Sequence, residues 1–248
     1  MLDALRSIGG VLRSLRIYYG DAERSRAMRR LYGAFVRPGD LVFDIGAHVG
    51  DRVRTFRRLG AKVVAVEPQP THSKVLRLIY GRDPLVKIEA AAVGRQTGTT
   101  DLSINVQNPT VSTASDDFIA AAGNAAGWED QRWTKRIPVP VTTLDALIAE
   151  HGMPSFIKID VEGFEAEALA GLIRAPATLS FEFTLIQREV ARTCIARCAE
   201  LGYKRFNAAL GESQHFEHPD WIDADEMRRW LDALPMQANS GDIYARLV

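Results

Sequence analysis

From residue 41 onward, short apolar runs alternate with stretches whose apolar residues recur every third or fourth position, and glycines mark the junctions. Leu41 to Ile45 is the first run and reads as a strand. The helix after it carries Val49, Val53, Phe56 and Leu59 on one face and stops at Gly60. Lys62 to Val66 is apolar at nearly every position, the mark of a central parallel strand covered on both sides. Thr71 is the expected cap of the next helix, with Val75, Leu76, Leu78 and Ile79 as its buried face and Gly81 as its end. Val86 to Val93 reads as a third strand and Thr99 to Val106 as an extra one.

The segment from Asn108 to Arg136 is polar, alanine-rich and without sustained periodicity. An insertion of that length in an alternating chain points to an active-site lid, with Trp128 and Trp133 either covering a ligand or sealing the lid against the sheet. Regularity returns with strand Ile137 to Val141, a helix bearing Leu144, Leu147 and Ile148, strand Phe156 to Ile159, and a helix bearing Phe164, Ala168, Leu169 and Leu172. Strand Leu179 to Thr184 and a helix bearing Val190, Cys194, Ile195 and Leu201 follow. Last come a strand near Tyr203 to Ala208, a helix opened by a capping box at Asp223 and Glu226, and a strand from Ile243 to Val248.

This alternation predicts an α/β fold with a mostly parallel sheet, helices on both faces and a lid insertion at 108–136. Residues 1–36 form a separate expectation. Leu2, Leu5, Ile8, Leu12 and Leu15 stand at helical spacing with arginines between them, and Arg24, Arg26, Arg29 and Arg30 add a basic stretch. A helical segment results, docked on the main domain (37–248) or, in the alternative, resting on a membrane or partner.

Composition narrows the picture. With 248 residues, 46% of them hydrophobic, the chain can bury a full core. Its 31 basic and 31 acidic side chains cancel, so no global field draws it to nucleic acid, which is not an expected substrate. Cys194 and Cys198 lie one helical turn apart without a second ligand pair; they read as buried thiols, and no metal site is expected. No apolar run reaches the roughly 18 residues of a membrane span, and Arg6, Arg13 and Arg16 interrupt any signal peptide, so a cytoplasmic location is expected.

The chemistry sits where strands end. In LVFDIGAHVG the first strand ends in Asp44 and a glycine turn, Gly46 to Gly50, that opens a helix near His48 whose N–H groups suit a carboxylate. Asp44 occupies the place where a pyrophosphate would have to approach, so a cationic or hydroxyl-rich ligand is favoured over a dinucleotide. Glu67, ending the second strand before Pro68, can accept hydrogen bonds from both ribose hydroxyls. A later strand, IKID, delivers Asp160 and Glu162 to the same edge, while Glu165 and Glu167 read as a solvated helix face.

Three segments, VFDIGAHVG, VVAVEPQP and above all IKIDVEGFEAEALAGL, followed by the acidic strand LSFEF, resemble the FkbM family of S-adenosylmethionine-dependent methyltransferases. The resemblance spans roughly Gly39 to Thr184 and departs at His48, where asparagine is usual. It implies a Rossmann-like class I methyltransferase fold of seven strands, an enzyme using S-adenosyl-L-methionine, and methylation of a hydroxyl on a sugar, glycan or polyketide-like natural product. It also implies that Asp44, Gly46, Gly50 and Glu67 hold the cofactor and that Asp160 lies near its methionine portion. Ala47, His48, Pro68 and Ala92 complete the expected cofactor set.

An alcohol is a poor nucleophile until its proton is removed, so a base is expected within hydrogen-bond reach. Glu162 is the first choice, projecting from a strand end; its other reading is a carboxylate that holds the loop backbone. Glu182 and His48 follow, and His72 and His215 are outsiders. His48 is read chiefly as an outward helix-start residue. A nicotinamide-dependent oxidoreductase shares the fold and the ribose acid but calls for G-x-G-x-x-G, which this turn lacks. A non-catalytic binding module is the third reading.

Overall fold

The computed structural model describes residues 20–248. Ten strands and eight α-helices follow the described chain in the order α1 (Ala22–Tyr32), β1 (Leu41–Ile45), α2 (Asp51–Arg58), β2 (Lys62–Val66), α3 (Pro70–Tyr80), β3 (Val86–Glu89), β4 (Ala92–Val93) and β5 (Gly98–Ile104). Then come α4 (Asp116–Gly123), β6 (Lys135–Thr142), α5 (Leu144–His151), β7 (Phe156–Ile159), α6 (Glu165–Ala170), β8 (Thr178–Thr184), α7 (Arg188–Glu200), β9 (Arg205–Leu210), α8 (Ala224–Ala233) and β10 (Ser240–Arg246).

Seven strands form the main sheet in the order β3-β2-β1-β7-β8-β10-β9. β1, β2, β3, β7 and β8 pair in parallel, and β10 runs antiparallel to both of its neighbours. The sheet has the seven strands and the mostly parallel pairing that the resemblance implies. The apolar alternation of β2 shows why the strand reads as continuously hydrophobic. Val64 and Val66 enter a core shared with α5, α6, α7 and α8, while Val63 and Ala65 enter one shared with α1, α2 and α3. Cys194 and Cys198 are buried free thiols on the inner face of α7.

Several expectations need correction. The run Val86 to Val93 is not one strand: β3 ends at Glu89, and Ala92-Val93 leaves it to pair with Val141 and Thr142 in a separate sheet, β4-β6-β5. The strand around Ile137 to Val141 therefore belongs to this second sheet and not to the main one. β9 and β10 are displaced toward the pairing that antiparallel register dictates, Ser240 opposite Thr184 and Arg246 opposite Thr178. Tyr203 precedes its strand and donates its hydroxyl to Pro176 O instead.

α3 starts one residue early, at Pro70, a residue whose missing N–H costs nothing in a first turn; Thr71 is not its cap. Its buried face is His72, Ser73, Leu76 and Tyr80, whereas Leu78 is 87% and Ile79 41% exposed. Two polar side chains fill the inner positions, so a search for apolar periodicity selects the wrong face.

The insertion is more regular than its sequence suggests. Ser115 caps α4 by accepting from the Phe118 amide, and Phe118 is fully buried with Trp128 and Trp133 edge-on at 5.4 and 6.2 Å. Trp133 also donates its indole N–H to Val111 O at 2.8 Å. Both tryptophans therefore seal the insertion. In α1, Asp21 caps the helix and Met28, Leu31 and Tyr32 pack against α2 and the sheet. The expected helix over residues 1–19, and the choice of what it docks on, lie outside the described residues.

Candidate active site

Because β1, β2 and β7 run in parallel, their carboxyl ends share one edge, and the loops beyond them line a cavity that opens to solvent. The loop after β1 supplies Gly46, His48, Asp51 and Arg52; the loop after β2 supplies Glu67, Pro68 and Gln69. Asp160 and Glu162 come from the end of β7, Glu182 from β8, and Ala92 from β4. Thr110, Ser112 and Ala114 of the insertion form part of the wall.

The turn after β1 is held by its neighbours. Gly46 has φ +84, and a Cβ there would lie 1.8 Å from the Asp160 carbonyl oxygen, so glycine is required by the approach of the β7 loop. His48, at φ +48, donates its amide to Glu67 Oε2 at 2.9 Å, and Gln69 donates its own to Glu67 Oε1 at 2.8 Å. Glu67 thus locks the β1 turn to the β2 loop. Burial pushes its carboxyl up to about 8 against the pull of those amides. Ala47 is buried behind the wall and donates to Val66 O. The helix starts at Asp51 after Gly50 at φ +86, so the expectation of a helix opening near His48 is corrected: that amide is already spent on Glu67.

Asp44 is fully buried, and neither carboxylate oxygen has a hydrogen-bond partner among the described residues. It lies behind Ile45 and Gly46 and does not itself line the cavity. Burial pushes its carboxyl up to about 7, opposed by the charge of Arg52.

His48 turns inward, against expectation. Its ring is stacked 4.5 Å from His72, and burial depresses the two imidazoles to about 4 and about 3, leaving both neutral. His72 lies behind His48, outside the cavity wall, and His215 is exposed on a loop with Nδ1 at Ser213 O. Neither outsider reaches the cavity.

A network of alternating charge, which the sequence reading missed, stands beside Asp160. Lys158 is wholly buried on β7 and donates to Asp242 Oδ1 at 2.7 Å and to Asp160 Oδ2 at 3.3 Å. Arg52 lies 3.3 Å from Asp160 Oδ2, and Arg24 of α1 bonds both Asp51 and Glu212. Despite burial, Lys158 and Arg52 hold the Asp160 carboxyl well below the usual range. Lys158 and Asp160 stand in one motif, but Asp242, Arg24 and Glu212 come from distant elements that no local spacing connects.

One oxygen each of Asp160, Glu162 and Glu182 lies within 4.8 Å of the others. Burial and the ionised Asp160 raise the carboxyls of Glu162 and Glu182 well above the ordinary value. Such a cluster can share protons or face a cation, and its spacing would also admit a metal ion. Glu162 sits at φ +53, its carbonyl accepting from Thr113 Oγ1 of the insertion at 2.6 Å. The task of holding the loop falls to Glu165, which accepts from the Val161 and Gly163 amides. Glu165 is 3% exposed, so the expectation of a solvated residue is corrected; Glu167 does face solvent, paired with Arg95.

The family model of the methyltransferase FkbM domain matches residues 44–239. The chain belongs to the FkbM methyltransferase family. It is 31% identical over 163 residues to the 31-O-demethyl-FK506 methyltransferase FkbM of Streptomyces tacrolimicus, covering 57% of this chain and 62% of that protein's length. Solved structures similar in fold include a TehB-like SAM-dependent methyltransferase from Corynebacterium glutamicum, with 12% identity, 95% and 93% of the two chains covered and a TM-score of 0.48. Another is cofactor-bound Rv0187 from MTB, with 14% identity, 97% and 89% coverage and a TM-score of 0.44.

As a member of the FkbM family, the protein uses S-adenosylmethionine, and the nicotinamide reading gives way. The residues present fit that cofactor: an acid-rich cavity, with the unpartnered carboxylate of Asp44 buried behind its wall, suits a ligand that carries both an ammonium and a sulfonium. Among the described residues, no helix is long and apolar enough to cross a membrane.

Proposed function

We propose that this FkbM methyltransferase methylates a hydroxyl oxygen of a sugar, glycan or polyketide-like small molecule, with Glu162 as the general base. The cluster of Asp160, Glu162 and Glu182 at the cavity wall carries this reading, since a neutral hydroxyl needs a proton acceptor beside the transferred methyl. The relative's name specifies an O-methyltransferase, in keeping with that acceptor class.

When bound, the cofactor supplies a methyl group on a positive sulfur, open to in-line displacement. Asp44, set behind the cavity wall, would reach the ammonium only through a bridging water. Glu67 keeps free lone pairs for the ribose hydroxyls while its two oxygens fix the surrounding loops. Asp160, kept ionised by Lys158 and Arg52, would lie by the methionine portion, and Gly46, Pro68 and Ala92 shape the wall, whereas Gly50 stands outside it and serves the turn. Glu162, ionised, would take the proton of the acceptor hydroxyl as that oxygen receives the methyl group, the cofactor being released as its neutral thioether. Glu182 then acts as the neighbour that shares or relays that proton, and neutral His48 packs the cofactor side.

Incubation with S-adenosylmethionine and a panel of hydroxylated sugars and macrolides tests the reading by mass spectrometry. Methyl ethers on at least one hydroxylated acceptor are expected. Methylation confined to amines, thiols or carbons would overturn it.

A further inference from the structure

Among the described residues, no element covers the outward face of α3. Leu78 stands 87% exposed beside Lys74 and Arg77, with Ile79 at 41% one residue on and Leu85 at 40% in the turn that leads to β3. Because the strands are parallel, their amino ends share one edge: Leu41 pairs with Lys62, Val63 with Val86 and Val42 with Phe156. Leu85 lies on that edge, its carbonyl accepting from the Val63 amide, and Met153, 47% exposed just before β7, lies on it three strand spacings away, roughly 14 Å. Exposed Lys62 stands between them.

Charge is one-sided at the α3–β3 corner of this edge, whereas Asp40 before β1 and Glu150 near Met153 are acids at its other end. Between residues 74 and 87 the cations Lys74, Arg77, Arg82 and Lys87 are all exposed, and the sole acid of that stretch, Asp83, is bound by Arg57 at 2.7 Å. The chain as a whole is neutral, so this is a local accumulation. Separated apolar tips with cations among them suit a fluid layer of anionic headgroups, into whose boundary single side chains can dip; a protein partner would want a contiguous packed apolar centre.

We propose that the amino-terminal edge of the sheet, with Leu78, Ile79, Leu85 and Met153 inserted and Lys74, Arg77 and Arg82 on the phosphates, docks the protein on an anionic lipid surface. The cavity opens at the opposite ends of the same strands, so a docked protein presents its active site to water and binds cofactor independently of lipid.

The test is co-sedimentation of the full chain with phosphatidylglycerol–phosphatidylcholine vesicles and with phosphatidylcholine alone, alongside calorimetry with S-adenosylhomocysteine. Binding only to the anionic vesicles, weakening with salt, is expected. Leu78→Asn/Leu85→Asn and Arg77→Glu/Arg82→Glu should each lower the partition coefficient at least about fivefold without changing nucleoside affinity. Wild-type protein that ignores anionic vesicles overturns the proposal. So do edge variants that bind like wild type while Arg6→Glu/Arg13→Glu abolishes binding, and a wild-type dimer that Leu78→Asn/Leu85→Asn dissociates, which would assign the face to a second copy.

Discussion

Asp44 is held in a state that favours ligand binding over stability. Its carboxyl, raised to about 7 from an ordinary value near 4, binds a proton more tightly in the folded chain than in the unfolded one. Its contribution is therefore fully present below pH about 4 and is lost as pH rises through about 7. Asp44→Asn should raise stability to urea at pH 8 while weakening S-adenosylhomocysteine by about 1 kcal/mol, the cost of losing a charged acceptor that acts on the ammonium through water. A variant that is both stable and unimpaired in binding would remove Asp44 from the cofactor's ammonium. Glu67→Ala should also lose about 1.5 to 3 kcal/mol of binding, and because the His48 and Gln69 amides lose their acceptor, it should melt earlier as well. Glu162→Gln keeps the shape and removes the base; turnover on the true acceptor should fall roughly 100-fold or more with little change in cofactor affinity. Normal turnover there, with loss in Glu182→Gln or His48→Gln, would move the base to one of those residues.

At the scale of elements, the insertion is tied into the site from both sides. Gln69 donates to Pro109 O and Thr113 to Glu162 O, so the stretch from Pro109 to Thr113 bridges the loops after β2 and β7. We expect hydrogen exchange at residues 105–115 to slow when S-adenosylhomocysteine is added, while α4, anchored by Phe118 under two tryptophans, stays protected throughout. Uniform protection with and without ligand would make the whole insertion a fixed part of the fold. The sequence shows why such elements differ in legibility. β1, β2, β7 and their terminal acids are readable because a parallel strand covered on both faces is apolar throughout and ends at a glycine turn. α3 is misread because His72 and Ser73 occupy its inner face, and α4 is hidden in alanines. Asp242 and Arg24, brought to Lys158 and Asp51 from opposite ends of the chain, leave no local signature at all.

On the scale of the whole molecule, one edge of the sheet gathers acids around a single lining cation, Arg52, and three of those acids, Glu67, Glu162 and Glu182, have carboxyls raised by burial. A site so charged distinguishes a positive sulfur from a neutral one. As these carboxyls ionise, S-adenosylmethionine should gain affinity relative to S-adenosylhomocysteine, so the ratio of their dissociation constants should widen in favour of the donor from pH 6 to pH 9. A ratio flat across that range would show that the acids do not sense the sulfonium. The account rests on a cofactor site built from the β1 turn and the end of β2, and calorimetry tests it most directly. S-adenosylhomocysteine should bind with micromolar affinity, about 8 kcal/mol, while NAD gives no measurable heat; NAD binding with no response to S-adenosylhomocysteine would contradict it.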